Sequence, residues 1–342
     1  MNFNIAFYVA LCAVIALVLV PLAGIAVGLE ALFGVIIPYA AFLAFLIGVV
    51  YRILLWARTP VPYRVPTTAG QQKTLVWIRS DDLENPHSIW GVVGRMAMEV
   101  LLFRSLFRNL RSEIREAPDT PQGGRLIYWS SKWLWLGAIA FHYLFLTVLL
   151  RHLRFFTEPV PFFVKLIDSA DGFFELYVPA VYMSGIGLLV ALMYLLVRRV
   201  LDPKVRYISL GSDYFPLFLI LAIGITGILA RYFFRIDITA VKELAMGLVT
   251  LQPTIPEGVG SIFYLHLFLV STLLAYFPFS KLVHMAGVFF SVTRNMANNN
   301  RAVRHLNPWE YPVKVFSYME QEDMFRAEMK KAGIPLEKDL EE

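Results

Sequence analysis

The sequence predicts an all-helical integral membrane protein with six transmembrane helices. Three observations carry this. Of the 342 residues, 58% are hydrophobic, above the roughly 45–50% of soluble domains. Several apolar runs exceed the about 18 residues that read as a membrane span. The lysines and arginines fall mostly between those runs and concentrate in alternate connections. The formal charge of +5 therefore reads as membrane orientation rather than nucleic-acid binding. The one cysteine, Cys12, sits in an apolar run. It excludes intrachain disulfides and a cysteine-ligated iron–sulfur cluster within this chain.

The first span is IAFYVALCAVIALVLVPLAGIAV, residues 5–27. The preceding MNFN carries no basic residue and no small-residue cleavage site stands out, so a retained helix is expected rather than a signal peptide. A turn around Gly28, Glu30 and Gly34 leads to a second span, 33–55. It ends in YRILLWAR, where Arg52, Trp56 and Arg58 suit an interface. Residues 1–56 thus form an N-terminal transmembrane hairpin.

Residues 57–129 form a long connection, rich in arginine from Arg58 through Arg64 to Arg125. Inside it, GRMAMEVLLFRSLFRNLRSEIRE is amphipathic at helical spacing. Met98, Leu101, Leu102, Leu106 and Leu110 can share an apolar face. A helix lying on the membrane, or one docking a partner, is expected there.

Residues 130–295 hold the remaining four spans, a four-helix core: 131–153, 175–197, 214–234 and one long helix over 261–292. A polar tail, 296–342, ends in EKDLEE. The connections 57–129 and 198–213 are basic, whereas 155–174 and 236–260 are poor in basic residues. Basic loops stay in the cytoplasm, which places both termini inside a multi-pass protein of the cytoplasmic membrane.

Two spans carry histidines: His142 and His152 on the third, His266 and His284 on the sixth. An intramembrane imidazole is costly and marks a functional site by default. The two helices run antiparallel, so depth pairs His142 with His284 near the inner face and His152 with His266 near the outer face. On straight helices the 18-residue spacing is five turns, one face, and the 10-residue spacing leaves about 80° between its side chains. The rises, about 15 Å and about 27 Å, do not match. A bend is needed, and Pro278 is a plausible kink. Gly137 and Gly287 could let a flat ring approach the backbone.

Two stacked bis-histidine sites suit two haems, because low-spin haem iron takes two axial nitrogens and a helix bundle supplies facing side chains. No CxxCH occurs, so the haems would be non-covalent haem b. Zinc would want three or four converging ligands, and no carboxylate or thiol accompanies either pair. The rival class is a haem-free membrane transporter or scaffold, in which each histidine hydrogen-bonds a neighbouring helix.

The 10- and 18-residue histidine spacings resemble the gamma subunit of respiratory nitrate reductase, a dihaem cytochrome b family that oxidises quinol. The extra hairpin, the long connection and the polar tail depart from that pattern. They look like the DsrM subunit of the DsrMKJOP complex of sulfate reducers, called HmeC in the archaeal Hdr-like menaquinol-oxidising complex. The resemblance implies that His142 and His284 ligate the inner haem, and His152 and His266 the outer one. It implies menaquinol binding near the outer haem and transfer to a cytoplasmic iron–sulfur subunit like the catalytic half of heterodisulfide reductase (DsrK or HmeD). A disulfide or trisulfide on a small protein would be the final acceptor, in sulfate respiration. A nitrate reductase gamma subunit proper is the alternative.

Haem propionates are anionic and call for basic partners. Arg151, Arg154, Arg231 and Arg235 stand at the outer ends of spans three and five, against the usual charge bias. They are read as propionate or quinone-site contacts, with snorkelling to lipid headgroups as the alternative. Lys165, Glu158 and Asp168 are read as solvated loop charges, any one of which could take a proton from quinol. His87 and His305 read as surface or partner contacts. Trp133, Trp135, Tyr143 and Tyr264 read as packing or membrane-edge aromatics.

Overall fold

The computed structural model describes residues 5–59, 70–115, 124–172, 181–299 and 314–337. His305, Arg64 and the start of the expected fourth span lie outside them. In chain order the elements are α1 (Ile5–Ala26), α2 (Leu32–Ala57), α3 (Ile89–Leu102) and α4 (Arg104–Arg108). The strands β1 (Leu110–Arg115) and β2 (Arg125–Ser130) follow. Then come α5 (Lys132–His152), α6 (Phe162–Asp171), α7 (Met183–Leu201), α8 (Pro203–Ile208) and α9 (Gly211–Ile228). The last are α10 (Ile238–Val249), α11 (Ser261–Tyr276), α12 (His284–Gly287) and α13 (Tyr318–Lys331). Among the described residues six helices, α1, α2, α5, α7, α9 and α11, are long and apolar enough to cross a membrane once their short flanking turns are counted.

The spans pack in a chain. α5 lies on α7, α7 on α9, and α9 on α11, while α1 packs on α9 and α11 and α2 packs on α11. Leu219, Leu265 and Leu269 are buried where α1, α9 and α11 meet. Leu188, Leu192 and Ile220 are buried where α7 meets α9. Direct backbone contact between α5 and α11 is slight. Apolar side chains such as Val9, Leu19, Phe42 and Ile47 remain exposed along α1 and α2, as a helix surrounded by lipid requires.

The segment 261–292 is not one helix. α11 ends at Tyr276, short 3₁₀ turns follow, and Ser280 is extended at φ −116°, ψ 176°. Pro278 is the cause. It has no N–H to donate, and its ring clashes with the preceding turn. The Arg52 Nε donates to the freed Pro278 carbonyl at 3.0 Å. Gly48 on α2 allows this approach, since a Cβ there would stand 2.6 Å from Pro278. The five-turn argument for His266 and His284 therefore fails, and His284 sits on the separate turn α12. Across the break His284 still comes opposite His142.

The amphipathic stretch is likewise not continuous. α3 stops at Leu102, Phe103 takes a left-handed conformation, α4 is short, and Leu110–Arg115 pairs antiparallel with Arg125–Ser130. The two segments are strands by pairing with each other, and the run Leu126–Trp129 supplies the β-favouring aromatic and branched side chains. Arg111 docks the hairpin on Asp202 at 3.1 Å. Leu101 and Leu102 stay exposed on α3. The supposed loops 155–174 and 236–260 contain α6 and α10.

Glu84 ties the connection together by accepting from Arg104 Nε at 2.5 Å and Arg108 Nη1 at 2.6 Å. Burial by itself would raise its pKa, but the two guanidinium groups outweigh this and hold it below the ordinary glutamate value. A depressed folded value means stability that is present above the unfolded pKa of about 4.3 and lost as pH falls through the folded value. Limited proteolysis of the connection is expected to speed up on acidification in the wild type. Glu84→Gln should cleave faster at neutral pH and vary less with pH. A variant that keeps the wild-type pH profile would contradict this.

Candidate functional site

Four imidazoles face each other in two pairs between α5 and the α11–α12 segment. The His142 and His284 ring centroids are 6.0 Å apart, with planes at 80°. The His152 and His266 centroids are 6.3 Å apart, with planes at 17°.

The tautomers follow from the hydrogen bonds. Nδ1 of His142 lies 2.7 Å from the Ala138 carbonyl, that of His152 2.7 Å from Val148, and that of His284 2.8 Å from Lys281. A carbonyl only accepts, so each of these nitrogens carries the proton and donates. Nδ1 of His266 lies 3.0 Å from Thr226 Oγ1, whose own proton goes to the Ala222 or Ile223 carbonyl. Thr226 therefore accepts from His266. With Nδ1 engaged in all four, Nε2 is the nitrogen left to ligate, as in a histidine oriented through its other nitrogen.

Two imidazoles that hold one metal between them, each at about 2.0–2.1 Å, stand about 6 Å apart between centroids. Both pairs have that separation. Among the described residues no group of three or more His, Cys, Asp or Glu side chains converges on one point. The donor set thus fits an iron whose equatorial ligands come with it, as in haem, and does not fit a structural zinc.

The surroundings of the two pairs differ. His142 is flanked edge-on by Phe103 and Phe141, each at 4.9 Å. His266 lies so close to α9 that a Cβ on Gly227 would meet its ring at 3.2 Å. Gly137 and Gly287 do not open toward the histidines. A Cβ on Gly137 would meet Tyr194 at 2.4 Å and one on Gly287 would meet Trp56 at 3.3 Å. Both glycines serve aromatic packing instead.

Three of the four singled-out arginines gather beside His152. Arg151 Nη1 donates to Asp171 at 2.5 Å and Ser184 at 3.2 Å, and its Nε donates to Asp168 at 3.2 Å. Arg154 donates to Asp168 at 3.2 Å and to the Tyr182 hydroxyl at 3.3 Å. The guanidinium carbons of Arg151 and Arg231 stand 3.1 Å and 4.2 Å from the Tyr182 ring centroid. The Arg231 Nε is buried without a hydrogen-bond partner among the described residues. Arg235, exposed with φ 46°, is not among these contacts.

The other candidates separate. Asp168 belongs to the arginine cluster, Glu158 pairs with Lys242, and Lys165 is exposed. His87 lies 3.3 Å from Asp82 in the connection. Trp135 and Tyr143 have a definite task, donating to the Leu102 and Leu101 carbonyls at 2.7 and 2.9 Å. Sequence reasoning passed over Phe103, Tyr182 and Thr226. No motif marks them, because each earns its place only through contact across elements.

Residues 87–299 match the family model described as nitrate reductase gamma subunit. The chain is 46% identical over 286 residues to an Hdr-like menaquinol oxidoreductase cytochrome b-like subunit of Archaeoglobus fulgidus, covering 82% of this chain and 83% of that one. Its counterpart in Archaeoglobus profundus is 43% identical over 281 residues, covering 80% and 81%. The nitrate reductase gamma chain of Bacillus subtilis is 24% identical over 205 residues, covering 58% of this chain and 89% of that one. The stronger likeness is thus to the Hdr-like branch that the extra hairpin, connection and tail resemble. With the family model spanning more than half of its length, the chain belongs to the nitrate reductase gamma subunit family.

Proposed function

We propose that this chain is the membrane cytochrome b subunit of a menaquinol-oxidising complex and binds two b haems. The observation that carries the proposal is the pair of facing imidazole sets, at 6.0 and 6.3 Å, each with Nδ1 engaged and Nε2 left as a ligand. His142 and His284 would hold the inner haem, and His152 and His266 the outer one. When bound, each haem would accept and release one electron at its iron. The names of the Archaeoglobus relatives supply menaquinol and the complex.

The basic connections orient the chain with both termini in the cytoplasm of a cytoplasmic-membrane protein. The hairpin 1–56, the connection 57–129, the core 130–295 and the tail 296–342 are its working divisions. Arg231, whose buried Nε has no partner among the described residues, is the best placed of the outer arginines to meet a propionate or a quinone oxygen. Arg151 and Arg154 position that region through Asp168 and Asp171, and Arg235 lies at its edge. Asp168 stands where a carboxylate could take a proton from quinol. The electrons would leave on the cytoplasmic face for a heterodisulfide reductase-like iron–sulfur subunit (DsrK/HmeD-like) of a sulfate-respiring complex.

A reduced-minus-oxidised spectrum of purified protein tests this, with about two b-type haems per chain expected. Folded protein without haem would sink the reading in favour of a transporter or scaffold. The family model also allows a nitrate reductase gamma subunit proper, and the subunits that co-purify decide between the two.

A further inference from the structure

The two histidine pairs share donor type and spacing but differ in twist. The planes of His142 and His284 lie 80° apart, and those of His152 and His266 lie 17° apart. The twist at the first pair has a visible cause. His142 is tied through Nδ1 to Ala138 and is met edge-on by Phe103 at 84° and Phe141 at 77°. Turning its ring toward the plane of His284 would drive it against those two rings and away from its staggered rotamer.

Phe141 is the chain neighbour of His142, but Phe103 comes from another element and sits in an unusual conformation. Its φ and ψ are 50° and 45°. A bulky residue rarely enters that left-handed region, and such outliers persist only where the surroundings hold them. Here α5 does the holding. Trp135 Nε1 donates to the Leu102 carbonyl at 2.7 Å, and the Tyr143 hydroxyl donates to Leu101 at 2.9 Å. The Phe107 ring packs edge-on against Trp135 at 5.0 Å. The helix that carries His142 therefore also fixes the residue aimed at it.

We propose that Phe103 is a positioning residue for His142, holding its imidazole nearly perpendicular to that of His284 and so giving that metal centre a different electronic structure from its partner. The proposal rests on the haem reading above. Axial imidazoles donate π density into the metal orbitals that lie perpendicular to their planes. Parallel rings feed one of two dπ orbitals and split them, whereas perpendicular rings feed both alike and leave them nearly degenerate. A ferric low-spin centre of the first kind gives an ordinary rhombic EPR spectrum, and one of the second kind gives a single large, strongly anisotropic g value. The twist thus gives two centres with the same pair of ligands a means to differ.

Low-temperature EPR of the oxidised, haem-loaded protein is the test. The wild type should show one large-g signal and one rhombic signal. Phe103→Gly removes the ring while accepting the left-handed backbone. It should move or broaden the large-g signal, leave the rhombic signal unchanged and retain full haem content. Phe103→Tyr should restore the wild-type spectrum. If Phe103→Gly does not retain haem, Trp135→Phe decides, because it removes only the donor to Leu102; it should shift the same signal by less. An unchanged large-g signal in the deciding variant, or two wild-type signals of one class, overturns the proposal. A wild-type protein without haem signals would defeat the haem reading itself.

Discussion

His284→Ala is expected to halve the haem bound, from about two per chain to about one, with the surviving haem spectrally unchanged. The reason is the sparseness of the site. His142 has His284 as its only facing imidazole, and no third His, Cys, Asp or Glu converges there among the described residues. No other described imidazole stands there to take over as the second axial nitrogen. His142→Ala should give the same result, and the double variant of His142 and His284 should lose no more than either single one, because both act on one centre. Joining His142→Ala with His266→Ala should remove both haems. A cross-pair double variant that kept one full haem would show that the pairing is wrong. The measurement is the pyridine haemochrome ratio beside the protein's own reduced spectrum.

Asp171→Asn is expected to lower stability by about 3–5 kcal/mol, the usual result of stripping one partner from a buried ion pair. Asp171 accepts from Arg151 at 2.5 Å and from the Ser184 N–H and hydroxyl at 2.7 and 2.5 Å. The two charged side chains are only 7% and 10% exposed. The amide cannot balance the guanidinium, which would be left with the more exposed Asp168. Arg151 directly precedes His152, so the damage should centre on the His152–His266 pair. A melt in detergent should fall clearly, and the haem lost first should be the one that His266→Ala removes. Replacing both Arg151 and Asp171 with apolar residues of similar volume should recover much of the loss. An unshifted melt for Asp171→Asn would show that Asp168 alone neutralises Arg151.

The arginine cluster also marks how far sequence reasoning reached. Arg151, Arg154 and Arg231 were legible as unusual, because three cations stand on a side otherwise poor in basic charge. Their convergence on the Tyr182 ring was not, since Tyr182 lies on another element, beside the start of α7. Arg95 shows the converse. It was one arginine among many in a basic connection, yet it is only 4% exposed, on the helix whose Glu99 pairs with Arg294 from the far end of the core at 3.7 Å.

What the sequence determined by itself is what a local pattern can carry. Apolar run length decides that six helices can cross a membrane, because the bilayer core has a set thickness. Antiparallel connection then decides which histidines share a depth. The tertiary structure decided everything that depends on where one element meets another. Pro278 ended α11 rather than bending it, and Arg52 from a distant helix satisfied the carbonyl left open. Leu110–Arg115 became a strand because Arg125–Ser130 offered it a ladder, against the helical reading of the longer stretch that contains it. The relative twist of the imidazoles, 80° in one pair and 17° in the other, follows from side chains on other elements. Periodicity places a residue on its own helix, and only packing between helices sets the plane of its ring.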